Sequence, residues 1–333
     1  MLEAFFTGAV FGASLAVSGM YQPAVILSQM RLENFHMMQT FLAASGGSVA
    51  LVNFLQKAGY LSLKPRNYSS LGLLGPLDGN IAGGFLLGIG MTLSGACPGT
   101  VFAQVGAGIQ SGLYTLGGGI LGGILWSGIL RPALARWKTE VKGRNATTPP
   151  PKTEQLMIHG NLGISHEAAF VTVEALFSGV MALISTFGLV KTRGLFDPIL
   201  SGFLISGSQL FSILSRKSLL GTSSSFEELG DYLWAILRGQ SLPKSYSAMA
   251  LVSGMMIGSA GLSFVVELPS ILPDPALSTA RLIVGGVLLS IGSRMGGGCT
   301  SGHGISGISL LSVSSFVTVA AMFAGAFATA AII

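Results

Sequence analysis

The sequence predicts an all-α, multi-pass helical membrane protein with two pseudo-symmetric halves and broken or re-entrant helices forming a central pathway. Three observations carry that reading. Half of the 333 residues are hydrophobic and only 9% are charged, against roughly a quarter charged in ordinary soluble domains. Stretches such as 169–190, 248–266 and 316–333 carry almost no charge, and a run of about 20 such residues crosses a bilayer. A segment around the first of two cysteines also recurs around the second. A closed barrel does not fit, because the apolar runs are long and lack strand alternation.

The chain opens on MLEAFFTGAVFGASLAVSG, with Glu3 where a secretory signal would carry a basic region. It reads as the first membrane helix. About nine spanning helices are expected, with additional short, broken ones. The net charge of +5 lies mostly in loops, where basic residues report membrane orientation and not nucleic-acid binding. Arg131, Arg136, Lys138, Lys142, Arg144 and Lys152 form the densest set, which places their segment in the cytoplasm. The Asn145-Ala146-Thr147 sequon there is accidental on that placement.

Residues 136–155 break the hydrophobic pattern with charge and three consecutive prolines, a composition that cannot bury enough apolar surface to fold alone. The expected division is an N-terminal half at 1–135, a polar cytoplasmic linker at 136–166 and a C-terminal half at 167–333. GGFLLGIGMTLSGAC, ending at Cys97, aligns without gaps on GGVLLSIGSRMGGGC, ending at Cys299, a shift of 202 residues with eight identities in fifteen. Glycine abundance inflates that score, but the leucines, the isoleucine and the cysteines do not depend on it. The same step of 77 residues back from each cysteine reaches Met20, in VSGMYQP, and Thr222, in LLGTSSS. Four related loops are expected, two per half.

Pro98 between Gly95 and Gly99, and the run Gly296 to Gly298, disfavour continuous helix. The apolar runs 81–93 and 101–109 are each too short to span, and read as half-helices meeting at a central turn. Irregular backbone at membrane depth occurs only where protein buries it or water reaches it. Helices starting after Cys97 and Cys299 would aim free N–H groups at those thiols, a setting suited to an anion. The alternative is that these small residues serve helix packing, which is the reading of TLGGGILGGIL at 115–125. Proline and polar residues at the cysteine loops favour a site.

LSGACPGT and RMGGGCTSGHG resemble the paired signature of the YeeE/YedE sulfur-transport family, and LLGTSSSFEELGDYLW at 219–234 resembles a further loop of its longer, two-half members. The resemblance implies import of thiosulfate or a related small sulfur compound across the cell membrane, through an hourglass-shaped channel with cysteines at its constriction. Bacterial members carry another cysteine in the first loop, where this chain has Met20 and Tyr21. A relay of three thiols is then not available unchanged, although Met20 still offers a soft sulfur.

On this reading Cys97 and Cys299 are shallow stations, since a neutral thiol is a weak donor to the sulfur end of such an anion while backbone N–H groups hold its oxygens. The accompanying candidates are Gly95, Gly99, Thr100, Gly298, Thr300, Ser301, Met20 and Thr222. Arg294 either attracts a dianion, or snorkels to the interface or pairs with an acid, and His303 either tunes the site or satisfies a carbonyl. Inert thiols, a disulfide or a metal are the competing readings of the cysteines. Glu174 either carries a proton or sits near the interface, and Asp78 and Asp274 read as helix starts. No cofactor and no ATP-binding motif is expected. The alternative function is a membrane-embedded sulfur-transfer protein forming a persulfide for a sulfur-acceptor protein; the favoured one is a non-enzymatic transporter whose partners are its substrate and the lipid bilayer.

Overall fold

The structure, a computed structural model, describes residues 1–144, 153–269 and 277–333. The triple proline, the Asn145 sequon, Lys152 and Asp274 lie outside the described residues, as do the side chains of Lys142 and Arg144. The architecture is helical throughout the described residues, apart from one isolated bridge between Met157 and Ser312. In chain order the α-helices are α1 (Leu2–Val17), α2 (Pro23–Met30), α3 (His36–Lys57), α4 (Asp78–Ser94), α5 (Thr100–Gly106) and α6 (Gln110–Leu125). Then come α7 (Arg131–Arg144), α8 (Ile158–Leu162), α9 (His166–Thr186), α10 (Pro198–Arg216), α11 (Ser224–Leu237), α12 (Ser247–Val265), α13 (Thr279–Met295) and α14 (Val313–Ala330). A π-helical segment, Thr300–Gly307, stands between α13 and α14.

Six helices among the described residues are long and apolar enough to cross a membrane, or seven if α13 and the bent segment after it count as one span. That is fewer than the nine the hydropathy suggests. The reason is length: α1 is apolar but only 16 residues long, and α5 only seven. The charge after residue 130 does not end its helix either. α6 runs through a π-helical turn at Trp126–Leu130 into α7, so the span extends over Gln110–Glu140.

The order α1–α6 recurs as α10, α11, α12, α13, the π-helical segment and α14, with α7–α9 between the two sets. Equivalent helices meet in opposite directions. On α4, Gly83 faces Gly296 and Gly292 of the α13 end, while Gly90 faces Leu289 and Gly285. On α1, Thr7 meets Ser215 of α10 at 3.3 Å and Ser14 meets Leu204 at 3.4 Å. A two-fold axis that exchanges antiparallel helices crosses them, so for helices spanning a bilayer it lies in the membrane plane.

Close backbone approach makes this packing possible. A methyl at Gly83 would sit 2.1 Å from Gly296 N, and one at Gly88 1.9 Å from Met322 O. Small residues are the means by which helices associate where lipid supplies no hydrophobic drive between them. Apolar side chains such as Val171, Leu176 and Leu183 of α9 and Phe203 and Phe211 of α10 face outward, whereas Ser201, Ser208, Gln209 and Ser212 are buried inside. We predict that Gly88→Leu, which drives a side chain into the α14 backbone, lowers stability by about 3 kcal/mol or more, while Gly117→Leu, at a position with nothing within 4 Å, is tolerated. Thermal unfolding in detergent separates the two, and equal melting would refute the packing argument.

Candidate functional site

Each cysteine sits at a break in a helix. α4 ends at Gly95, in the left-handed region at φ 61°, where a methyl would come 2.8 Å from Pro23 Cβ. The chain turns over Ala96 to Gly99 and starts α5 at Thr100. The turn closes on itself: Cys97 N donates to Thr100 Oγ1 at 2.7 Å, and Thr100 N donates to Cys97 Sγ at 3.3 Å. The expected N–H group at a helix start does point at the Cys97 thiol. At the second break α13 ends at Met295, and Cys299 caps the π-helical segment, with His303 N donating to Cys299 O at 2.7 Å. Cys299 Sγ lies 3.4 Å from Thr222 Oγ1 and 3.2 Å from Ser301 Oγ.

The two breaks face each other across Gly99. A methyl placed at Gly99 would stand 3.8 Å from Cys97 Sγ, 3.7 Å from Thr222 Oγ1 and 3.8 Å from Ser301 Oγ, so the thiol of one repeat and the hydroxyl partners of the other thiol surround one open point. A cavity of about 60 Å³, counted as room for the centres of water molecules, adjoins it. One water needs about 10–15 Å³ by that measure, so the space has room for several water-sized bodies. Met20, Cys97, Gly99, Thr100, Thr300 and Ser301 line it, with Thr40 and an otherwise apolar remainder that includes Phe11 and Phe41.

Other expected residues stand apart from the cavity lining. Both cysteines are free thiols, 7% and 0% exposed. Thr222 reaches the site through Cys299. The Gly298 backbone lies under His303 and Arg66. Arg294 pairs with Glu227, which also receives Arg131 at 2.7 Å, so its charge is met by an acid. His303 Nε2 donates to Gly296 O at 3.1 Å, leaving Nδ1 to accept from Ser315 Oγ at 2.9 Å. Both ring nitrogens serve the fold of the break. Glu174 faces Gly46 of α3, with Oε1 buried and unpartnered. Asp78 gathers N–H groups of the preceding loop, from Leu71 at 2.5 Å, Leu73 at 2.7 Å and Leu74 at 3.1 Å, and bonds only Gly79 N in its own helix. Among the described residues no three His, Cys, Asp or Glu side chains gather as metal ligands.

Three neighbours escaped the sequence reading. Met91 and Met322 hold the Thr300 hydroxyl, at 3.7 Å and 3.4 Å to sulfur, and nothing in an apolar helical pattern marks a methionine as a hydrogen-bond acceptor. Arg66 lies in a polar loop, where a basic residue reads as an orientation signal, yet it folds back onto the second break. Removing the His303 imidazole takes the partner from the buried Ser315 hydroxyl and one of two donors from Gly296 O, which keeps Asn80 Nδ2 at 2.8 Å. His303→Ala is expected to cost about 2 kcal/mol in thermal unfolding, with His303→Gln recovering part of it; an unchanged melting curve for the alanine variant would show that these bonds do not hold the break.

Comparison with known proteins finds transporters among the relatives of this chain. Probable transporters from two strains of Xylella fastidiosa are 33% identical over 134 residues, covering 40% of this chain and 90% of theirs. The thiosulfate transporter TsuA of Spirochaeta thermophila is 25% identical over 285 residues, covering 79% of this chain and 78% of its own. The Sulphur transport family profile matches residues 17–328, a span that contains both breaks, and the chain belongs to that family.

Proposed function

We propose that this chain carries thiosulfate, or a related small anion with a soft sulfur end, across the membrane through the constriction at Gly99. The observation that carries the reading is the arrangement around that glycine: Cys97 on one side, Thr222 and Ser301 on the other, and Cys299 directly behind those hydroxyls. Two weak sulfur donors separated by hydroxyls suit passage, because each station binds without trapping. Met20 adds a soft sulfur at the Cys97 side of the cavity. Thr100, Thr300 and Ser301 offer hydroxyls along the wall, and Gly95 and Gly298 give the breaks their shape. The relationship to a thiosulfate transporter supports the choice of substrate.

Transport is favoured over persulfide transfer by burial. A sulfur-acceptor protein must reach the modified thiol, and neither cysteine is accessible to a protein surface. The chain therefore acts on this reading as a non-enzymatic transporter of the cell membrane.

Labelled-thiosulfate uptake into liposomes tests the proposal. Cys97→Ala and Cys299→Ala should each reduce uptake about tenfold or more, the scale of one hydrogen bond to a charged group, and excess sulfate should compete poorly. Gly99 has φ −89°, which any residue adopts, so Gly99→Val should fold normally and stop uptake by filling the constriction. Full uptake by Gly99→Val would place the path elsewhere. A covalent persulfide on either cysteine during turnover would favour transfer chemistry instead.

A further inference from the structure

Glu174 is an acid that the constriction leaves unused. It lies near the middle of α9 and faces Gly46, at the middle of α3. A methyl at Gly46 would stand 3.1 Å from Glu174 Oε2, so the carboxyl rests against the α3 backbone. Both helices are long and apolar enough to cross a membrane. At 1.5 Å per residue α3 is about 33 Å long, close to the thickness of the hydrocarbon layer, which puts the carboxyl at mid-depth.

Nothing there compensates a negative charge. Oε1 is buried without a hydrogen-bond partner, and no charged group among the described residues acts on the carboxyl. The titratable side chains of α3 and α8, which pack on α9, stand at helix ends and are engaged elsewhere. His36 Nε2 donates to Ser18 O at 2.8 Å, Lys57 pairs with Glu167 at 3.5 Å, and His159 meets His166 edge to face. Ile308, Leu311 and Phe316 complete the apolar seat of α9, and residues 308–330 include no titratable side chain. Other acids differ: Glu227 and Asp231 pair with Arg131, and Asp197 caps α10 through Ile199 N. An ionised carboxylate without a partner in an apolar medium is costly, and such a group takes up a proton instead. An acid kept inside a span marks an ion or proton path.

α3 joins this acid to the constriction. Thr40, Phe41 and Ala44 line the cavity, and Gly46 lies two residues past Ala44, about 200° round the helix. Between them Ser45 Oγ donates to Gly304 O at 3.1 Å, in the π-helical segment that carries Thr300 and Ser301. One helix thus turns its inner face to the cavity and its outer face to Glu174. A dianion entering a compartment that is negative inside moves against the membrane potential, and each proton that travels with it cancels one charge.

We propose that Glu174 is a proton-binding site at mid-membrane and that its proton is carried with the transported anion, which makes the chain a proton–anion symporter. Ionisation at Gly46 charges the back of the wall whose front lines the cavity, and this couples the two sites. The coupling rests on the transport reading; the proton site does not.

Two measurements keep those apart. In the first, accumulation of labelled thiosulfate is followed in liposomes with the membrane potential clamped at zero by potassium and valinomycin. A gradient of about one pH unit, acid outside, should drive wild type to about tenfold accumulation for one proton per anion, and a protonophore should abolish it. E174Q, an isostere of the protonated acid, should equilibrate thiosulfate without concentrating it. Wild type that equilibrates without responding to the gradient, or E174Q that accumulates like wild type, overturns the coupling. In the second, infrared difference spectra of the purified full-length protein are recorded as the pH is raised from mildly acidic to alkaline. Wild type should lose the C=O band of a protonated carboxyl, and E174Q should lack that band. No such band in wild type, or the same band in E174Q, overturns the site. If E174Q does not fold, Glu174→Asp decides: the shorter acid withdraws from Gly46, so its band should be lost at a different pH, and an unmoved band refutes the site. No uptake by wild type, with the Glu174 band present, would sink the transport reading and leave the proton site standing.

Discussion

A helix that stops inside a bilayer strands carbonyl groups that lipid cannot satisfy, and most of the polar chemistry around the two cysteines answers that constraint. At the first break Arg281 reaches Thr92 O and Leu93 O, and Gln104 Nε2 donates to Gly95 O at 2.9 Å. At the second, Ser69 Oγ donates to Met295 O at 2.6 Å, Asn80 and His303 share Gly296 O, and Arg66 takes Gly297 O. With the carbonyls held, the chain can present thiols and hydroxyls at membrane depth without unwinding further. Several residues with an outwardly functional look, His303 foremost, belong to this supporting set.

The internal two-fold gives the site its form and also its inequality. Cys97 and Cys299 are equivalent by position, yet the first bonds within its own turn to Thr100 and the second bonds across to Thr222 of its own half and to Ser301. Met20 stands where Thr222 stands in the other repeat. It supplies a soft acceptor with no proton, whereas Thr222 supplies a hydroxyl. Antiparallel contact of α4 with α13 brings these unequal halves to one point, and Gly99 leaves that point open. Residues that are duplicated in sequence therefore meet in chemically different surroundings at the two breaks.

Charge follows the same logic. Arg131, Glu227, Asp231 and Arg294 satisfy one another in a network joining α6–α7, α11 and α13, which fixes the base of the second break. Arg66 lies outside that network: Ser312 and Ser314 clamp its backbone and its Nη1 donates to Gly297 O, with no acid paired to it among the described residues.

Much of the architecture was legible in the chain itself. Hydropathy alone implied membrane helices, because an uncharged run of that length has few other stable homes. Proline and glycine at 95–99 and glycine at 296–298 marked the breaks through their backbone preferences, and the 202-residue shift matched α4 to α13 and Cys97 to Cys299. Hydropathy suggests more spans than there are described helices of 18 residues or more, because it does not register where a helix breaks, as at α1 and α5. The partners of the cysteines also lay beyond it. That Thr222 and not the His303 imidazole bonds the Cys299 thiol, that Arg294 is spent on Glu227, and that Arg66 bends back from a loop all depend on contacts between residues 67 to 248 positions apart. A sequence fixes which groups are present and how each local stretch will coil; which of them share a point in space is decided only when helices without side-chain bulk pack backbone to backbone.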